Sequence, residues 1–463
     1  MNKDITPCME ANVRIFHYSH DTYGLGHIRR TLAIAEALAA DFPQASQLVV
    51  SGTPQPSCFK LPEGLDFIKL PDMDKPSDHT FHAPSLLLSS DALKNLREKM
   101  ILDAIKHFKP DVVVLDKSPA GVRGEMLPAL KYLKAVRPKT KLVLGMSDIE
   151  DDAMMAREYA RDDTDTPKNG NAASEGSIRG QWRANGIPEL IAEDYDLILH
   201  YGNREIYDPV SEYRLSRKAE AKMVSCGYIG RTDPAVPKED IRHALKMKTD
   251  KLVLVTAGGG QDGFGMLDFY LKTLSLSADP AKTPFDSVVV PGPLMSTAQR
   301  RELQAYQAKG VPFTLLDSTN DLFSYLNAAD LVISMGGYNS LCEILSLQKR
   351  AVIIPHVKPR VEQLIRAGRF AVRGLVDMIH PQRLNADILW TKIQEGLNGA
   401  PGTSPKEAGI DMNGAENASR AIEALLGKPA ATVLPLREAP VRVKRRPSLF
   451  PNPVRHSALS TFS

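Results

Sequence analysis

The sequence predicts an α/β protein made of two Rossmann-like domains in tandem that face each other across an interdomain cleft. Three observations carry this expectation. Short β-branched runs alternate with amphipathic stretches for most of the 463 residues, the pattern of right-handed βαβ units in a parallel sheet. The alternation starts afresh near residue 250. Between the two series lies Gly227–Pro237, GYIGRTDPAVP, dense enough in Gly and Pro to read as a hinge. The expected boundaries are 1–227 for the first domain, 228–427 for the second and 428–463 for a disordered basic tail.

In the first series, strands are expected at Val13–Tyr18, Gln47–Ser51, Asp66–Leu70, Asp111–Leu115, Lys141–Gly145 and Asp196–Tyr201. The amphipathic segments Ile28–Ala40 and Ala92–Phe108 separate several of them as helices. In the second series, strands are expected at Lys251–Thr256, Ser287–Val290, Phe313–Leu316, Leu331–Ser334 and Ala351–Ile354. Helices are expected between them at Gly265–Leu276, Thr297–Lys309, Leu322–Ala328 and Leu341–Leu347. Paired α/β domains of this kind bind ligands beyond the carboxyl ends of their strands. The polar stretch Arg161–Gly180 reads as a surface excursion, a candidate lid over that cleft.

Composition excludes several classes. With 43% hydrophobic and 24% charged residues the chain is an ordinary globular one, and no run approaches the roughly 18–20 apolar residues of a membrane span. Residues 1–12 hold no apolar core of a secretory signal. Cys8, Cys58, Cys226 and Cys342 lie far apart with no CxxC spacing, which points to a reducing cytoplasm and away from a zinc knuckle. The net charge of +3 hides an asymmetry: from Lys428 onward seven Lys/Arg stand against one acidic residue, so the body is acidic. A nucleic-acid-binding domain would carry its basic patch on the folded part. The tail holds six prolines and, beside Leu449 and Phe450, the run Lys444-Arg445-Arg446. It is expected to be dispensable for folding and suggests peripheral contact with an anionic membrane surface, against the plainer reading of a solvated tail.

The chemistry-bearing motifs follow strands. The first strand runs into HYSHDTYGLGHIRR, in which Gly24 and Gly26 let the backbone approach a ligand and His27, with Arg30, stands at a helix start that attracts anions. It is not a dinucleotide fingerprint, because Arg29 holds the third glycine position, and no Walker lysine appears. His27 is the best acid/base or phosphate-binding candidate of this half. Asp116, just after the fourth strand, is the second. His17, His20 and His27 lack metal-ligand spacing. The second series opens on AGGGQDG, whose Gly259, Gly260 and Gln261 offer backbone amides to a diphosphate. The stretch SMGGYNSLCEIL places Gly336, Gly337 and Asn339 at another helix start. Its Glu343 has two readings: with Ser340 a capping box, or a carboxylate accepting from ribose hydroxyls. Glu362 and Gln363, near a further helix start, can bond sugar hydroxyls or simply face water.

The order GLGH, GGGQDG, SMGGYNSLCEIL and PRVEQLIRAGRF resembles the two-domain, GT-B-type glycosyltransferases of family 28, most strongly over residues 250–370. The resemblance implies a UDP-sugar donor on the second domain. Gly259 and Gly337 would face the diphosphate, Glu343 the ribose, Glu362 and Gln363 the sugar, and Arg231 in the hinge a phosphate. The peptidoglycan branch of the family has Gln-Gln and then Asn where this chain has Glu362-Gln363 and Arg366. The resemblance also implies no cofactor and no metal. The Asp-x-Asp triplets at Asp72–Asp74 and Asp163–Asp165 lie in the other half of the chain.

The expected function is inverting transfer of a hexosyl or N-acetylhexosaminyl group from a nucleotide diphosphate sugar to an acceptor hydroxyl in the cytoplasm. The acceptor would be a glycan, a lipid-linked molecule or a small molecule. Two alternatives use the same site: a sugar-nucleotide 2-epimerase, and a non-catalytic glycan- or nucleotide-binding subunit.

Overall fold

The computed structural model describes residues 13–20, 26–53, 61–73, 85–150, 182–231, 234–260, 262–276, 283–316, 319, 321–357, 361–399 and 402–427. The expected excursion at 161–180 and the basic tail at 428–463 lie outside the described residues.

Strands β1 (Arg14–Ser19), β2 (Ser46–Ser51), β3 (Leu65–Lys69), β4 (Val112–Asp116), β5 (Lys141–Ser147), β6 (Leu197–Tyr201) and β7 (Met223–Ser225) form one parallel sheet. Its order is β3-β2-β1-β4-β5-β6-β7. A second parallel sheet holds β8 (Leu252–Thr256), β9 (Asp286–Val290), β10 (Thr314–Leu315), β11 (Leu331–Ser334), β12 (Ala351–Ile353) and β13 (Asp377–Met378) in the order β10-β9-β8-β11-β12-β13. The expected tandem Rossmann architecture is therefore present. The central strands β4 (VVVLD) and β8 (LVLVT) are buried along their whole length, as parallel strands covered by helices on both faces must be. The edge strands β7 and β13 were not expected from the sequence. They have three and two residues, and pairing with β6 and β12 makes them strands where their own apolar pattern does not.

Helices α1 (Gly26–Asp41), α2 (Ser90–Phe108), α3 (Leu127–Val136) and α4 (Ile187–Asp194) belong to the first domain. Helices α5 (Lys238–Ala244), α6 (Phe264–Ser275), α7 (Thr297–Ala308), α8 (Leu322–Ala328), α9 (Tyr338–Ser346), α10 (Glu362–Val372) and α11 (Ala386–Asn398) follow in the second. The last helix, α12 (Gly414–Leu425), crosses back. Its Ala415, Ala418 and Ile422 are buried against Ile15, Ile34, Leu38, Val114 and Leu199 of the first domain. The expected second domain of 228–427 is thus corrected at its end: the apolar stripe of α12 covers the first sheet. The chain passes between the domains twice, and the passages are tied together. The Tyr228 N–H donates to the Asp411 carbonyl at 2.8 Å, the Gly230 N–H to Met412 at 3.0 Å, and the Gly414 N–H to Tyr228 at 2.9 Å.

Two sheet histidines are sealed in. His17 on β1 is fully buried with Nε2 2.8 Å from Gln47 Oε1, and His200 on β6 is equally buried. Burial pushes both imidazoles down to about 4. An unfolded chain's histidines titrate near 6.5, so between about pH 6.5 and 4 the unfolded state binds protons that the folded state refuses. Stability should be unaffected by these groups above pH 7. It should then fall as acid is added, with a slope of up to about 1.4 kcal/mol per pH unit for each histidine. Urea titrations at stepped pH measure this directly, and a flat profile from pH 7 to 4.5 would contradict it.

Candidate active site at the interdomain cleft

In each sheet the strand order reverses at one point, β1/β4 in the first and β8/β11 in the second. The loops leaving two such neighbours run to opposite faces and leave a crevice at the carboxyl ends. The first crevice holds His27, in the first turn of α1 just beyond β1, and Asp116, the last residue of β4. His27 Nδ1 lies 2.8 Å from Asp116 Oδ2. Arg30, one turn further along α1, donates from Nε to Asp116 Oδ1 at 2.8 Å and from Nη1 to Ser147 Oγ at 3.0 Å. Its guanidinium also lies 5.2 Å from the ring centre of Tyr201 and 5.4 Å from that of Tyr338.

Electrostatics sort the roles. Burial alone would raise the Asp116 carboxyl, but the Arg30 guanidinium and the His27 ring override it and hold it down at about 2. Burial pushes His27 down to about 4, against the pull of Asp116. His27 is therefore neutral at pH 7. With its proton assigned to Nδ1, facing Asp116, the Nε2 lone pair is left as the basic site. Asp116 is the weaker base of the two and lies where it can orient the His27 ring. Arg30 is only 3% exposed, and its guanidinium is engaged by Asp116 and Ser147.

The second crevice holds the glycine loops. Gly260 has φ +95°, and a Cβ there would meet the Pro291 carbonyl oxygen at 2.3 Å; Gly336 has φ +83° and a Cβ 2.8 Å from Ile353 Cγ2. These two glycines are demanded by packing. Gly337 differs. It caps α9 with no side-chain hydrogen bond, and nothing lies within 4 Å of where its Cβ would be. A Cβ on Gly259 would meet only Leu294 Cδ1, at 3.9 Å. The amide start of α9 therefore opens onto space. Ser340 is inside α9 and the cap is Gly337, so the capping-box reading of Glu343 is overturned. Glu343 instead receives Arg231 Nη1 at 3.2 Å, with Arg29 Nη1 3.8 Å from the same oxygen. Arg231 packs its guanidinium on Phe323, 4.6 Å from the ring centre. Glu362 opens α10, and its Oε2 is buried with no hydrogen-bond partner among the described residues. Gln363 Oε1 accepts the His356 N–H at 3.4 Å.

The two crevices meet. Asn339 Nδ2 donates to the Gly26 carbonyl at 2.9 Å, joining the start of α9 to the start of α1. The Tyr338 hydroxyl donates to the Tyr201 carbonyl at 3.0 Å. Arg366 on α10 makes a two-pronged ion pair with Asp148 just after β5, at 2.6 and 2.8 Å, and reaches the Gly336 carbonyl at 3.1 Å. The residue that replaces a family asparagine is thus an interdomain tie. Asp148, Arg29, Tyr201 and Tyr338 carry no sequence signal of these roles. Gly24 and Gln261 lie outside the described residues.

Residues 288–422 match the glycosyltransferase family 28 C-terminal domain. The chain is 36% identical over 225 residues to a UDP-N-acetylglucosamine–N-acetylmuramyl-(pentapeptide) pyrophosphoryl-undecaprenol N-acetylglucosamine transferase of Streptococcus equi subsp. zooepidemicus, covering 46% of this chain and 58% of that protein. It is 26% identical over 147 residues to the transferase of the same name from Rubrobacter xylanophilus, covering 32% and 40%. The matched segments span about two-fifths to three-fifths of these relatives. Among solved structures it resembles the calicheamicin glycosyltransferase CalG4, with a TM-score of 0.54 and 16% identity over 91% of this chain and 100% of that one. A Listeria monocytogenes protein assigned as a UDP-N-acetylglucosamine 2-epimerase has the same TM-score of 0.54 at 11% identity, over 92% and 100%. The two-domain GT-B fold is common to all of them, and the fold alone separates no chemistry.

The Asp148–Arg366 pair yields a test. Both side chains are 3% exposed or less, so Asp148→Asn strands a buried guanidinium. It should cost about 3–5 kcal/mol, while the double replacement Asp148→Leu with Arg366→Met should recover most of the loss. Urea denaturation of the three proteins reads this, and a single variant as stable as the parent would rule out the clamp.

Proposed function

We propose that the chain is an inverting glycosyltransferase that moves a hexosyl or N-acetylhexosaminyl group from a UDP-sugar to an acceptor hydroxyl. One observation carries the reading. The His27–Asp116 dyad of the first domain and the open helix start at Gly337 of the second are brought face to face by the Asn339–Gly26 bond, 2.9 Å long. A general base and a diphosphate site on opposite walls of one cleft are what in-line transfer needs. The family 28 domain and the names of the relatives support the donor class.

The acceptor oxygen attacks the anomeric carbon from the side opposite the diphosphate while its proton passes to His27 Nε2. The bond from that carbon to the phosphate oxygen breaks, its electron pair leaves with UDP, and the configuration inverts. Asp116 stabilises the imidazolium that forms, and Arg30 keeps Asp116 in place. Charge growing on the diphosphate is taken up by the amides at Gly259 and Gly337, the start of α9 and Arg231. Glu343 holds the ribose hydroxyls, and the buried Glu362 Oε2, an acceptor in need of a donor, takes a sugar hydroxyl with Gln363 beside it. No step calls on a metal. The relatives' names specify a lipid-linked acceptor, which supports the same acceptor class here at the cytoplasmic face of a membrane, with the basic tail as the contact. Among the described residues no helix is long and apolar enough to cross a membrane. An epimerase would need a cluster of acid and base side chains around the sugar itself, whereas His27 stands on the acceptor wall.

His27→Asn should leave UDP affinity unchanged and slow turnover at least roughly tenfold, toward the ~10²–10⁴-fold typical of a lost general base. With His27 titrating near 4, the parent's turnover should keep its base neutral across about pH 6–9. Equal kcat for variant and parent over that window would remove His27 from the role. Glu343→Ala should weaken UDP binding by about 1.5–3 kcal/mol and close the gap between UDP and 2′-deoxy-UDP, as loss of a charge-assisted ribose contact requires. Calorimetry decides this: an unchanged gap between the two nucleotides would refute the contact.

A further inference from the structure

We propose that Arg29, on the first domain, is a second cationic ligand for the donor's diphosphate and reaches it across the cleft. The proposal rests on the glycosyltransferase reading and extends it to a residue outside the nucleotide-binding domain.

The charge balance at Glu343 points there. One carboxylate oxygen, Oε1, faces two guanidinium groups: Arg231 Nη1 at 3.2 Å and Arg29 Nη1 at 3.8 Å. Glu343 is nearly sealed, with its side chain 8% exposed, so the two guanidinium groups share one carboxylate in a confined place. Arg29 lies on α1, whose start meets the start of α9 through the Asn339–Gly26 bond, next to the open amide start at Gly337 where a phosphate oxygen has room. The two arginines are held differently. Arg231 is anchored, with its backbone N–H on Ser346 Oγ at 3.0 Å and its guanidinium packed on Phe323. Arg29 stands on the first turn of α1 with its side chain 37% exposed, and its distance to Glu343 is beyond hydrogen-bond length. It is an electrostatic neighbour that a better ligand can redirect.

A nucleotide diphosphate supplies that ligand. When ribose hydroxyls donate to Glu343, they compete with the arginines for its oxygens, and the diphosphate offers oxygens of higher charge a short distance away. A guanidinium matches such oxygens in pairs. Because Arg29 belongs to the first domain and the rest of the donor site to the second, the contact forms only while the domains are apposed. Through it the first domain recognises the donor's charge, and UMP or uridine would engage it less than UDP.

The test compares Arg29→Ala with the parent for UDP and uridine, using calorimetry for UDP and NMR titration for uridine, with thermal melting as the folding control. The variant is expected to melt as the parent does and to bind uridine within about twofold. It should bind UDP roughly tenfold or more weakly, the range of a lost charge-assisted contact. Arg29→Lys should recover part of the loss. Unchanged UDP affinity in Arg29→Ala overturns the proposal and leaves the glycosyltransferase reading intact. An equal loss for UDP and uridine also overturns it, since Arg29 would then act only by aligning Glu343. A parent chain that binds no UDP would overturn the donor reading itself, and this proposal with it.

Discussion

Asp148 and Arg366 meet between the two domains, and the geometry of the cleft depends on that meeting. Removing two charges from water is costly, and a single ion–ion attraction seldom offsets it. Here the offset comes from several sources at once. The guanidinium makes two short bonds to the carboxylate, one to the Gly336 carbonyl, and lies 5.8 Å from the ring centre of Tyr338. Around it Val361 and Ile365 of the second half join the core of the first domain. The carbonyl it holds belongs to Gly336, in the turn that leads into α9. One side chain therefore fixes both the approach of the domains and the shape of the loop between β11 and α9.

Much of the fold was legible in the sequence because each central strand states its own case. β4, β8 and β11 are nearly continuous apolar runs and β1 is a largely apolar one, and their expected ends differ from the observed ones by a residue or so. Edge strands β7 and β13 are too short to show a period, and their neighbours define them. The position of α12 was illegible for a different reason. Its stripe of Ala415, Ala418 and Ile422 would suit either sheet, and only the paired passages at Tyr228 and Asp411 decide which one it covers.

The candidate site divides in the same way. His27 stood out because glycines and a helix start surround it. Nothing local marks Asp116 as its partner, since 89 residues separate them and the parallel pairing of β1 with β4 brings them together. Glu343 was ambiguous because Ser340-x-x-Glu343 fits a cap as well as a binding carboxylate. Placing the helix start at Gly337 removes the cap. Arg30 and Arg29, adjacent in sequence, have opposite fates on α1. One points under the loop to an ion pair at 3% exposure, and the other points outward to Glu343 at 37%. Helical geometry separates neighbours by about 100° around the axis, and a sequence does not say which of two arginines faces the ligand.

The distribution of charge gives the arrangement its direction. In the first domain Arg30 balances the Asp116 carboxylate, and His27 is held neutral beside it, where the proposed reaction would have it take a proton. Two guanidinium groups from the two sides of the cleft face Glu343, where a departing diphosphate would rest. A proton would leave the acceptor toward the first wall as electrons leave the sugar toward the second. Neither wall has the whole apparatus, so separating the domains would part the base from the leaving-group site without altering either. On the proposed reaction the ties at Asp148–Arg366 and Asn339–Gly26 would belong to the chemistry as much as to the fold: they would set the one distance that a base and a leaving-group site on separate domains cannot set for themselves.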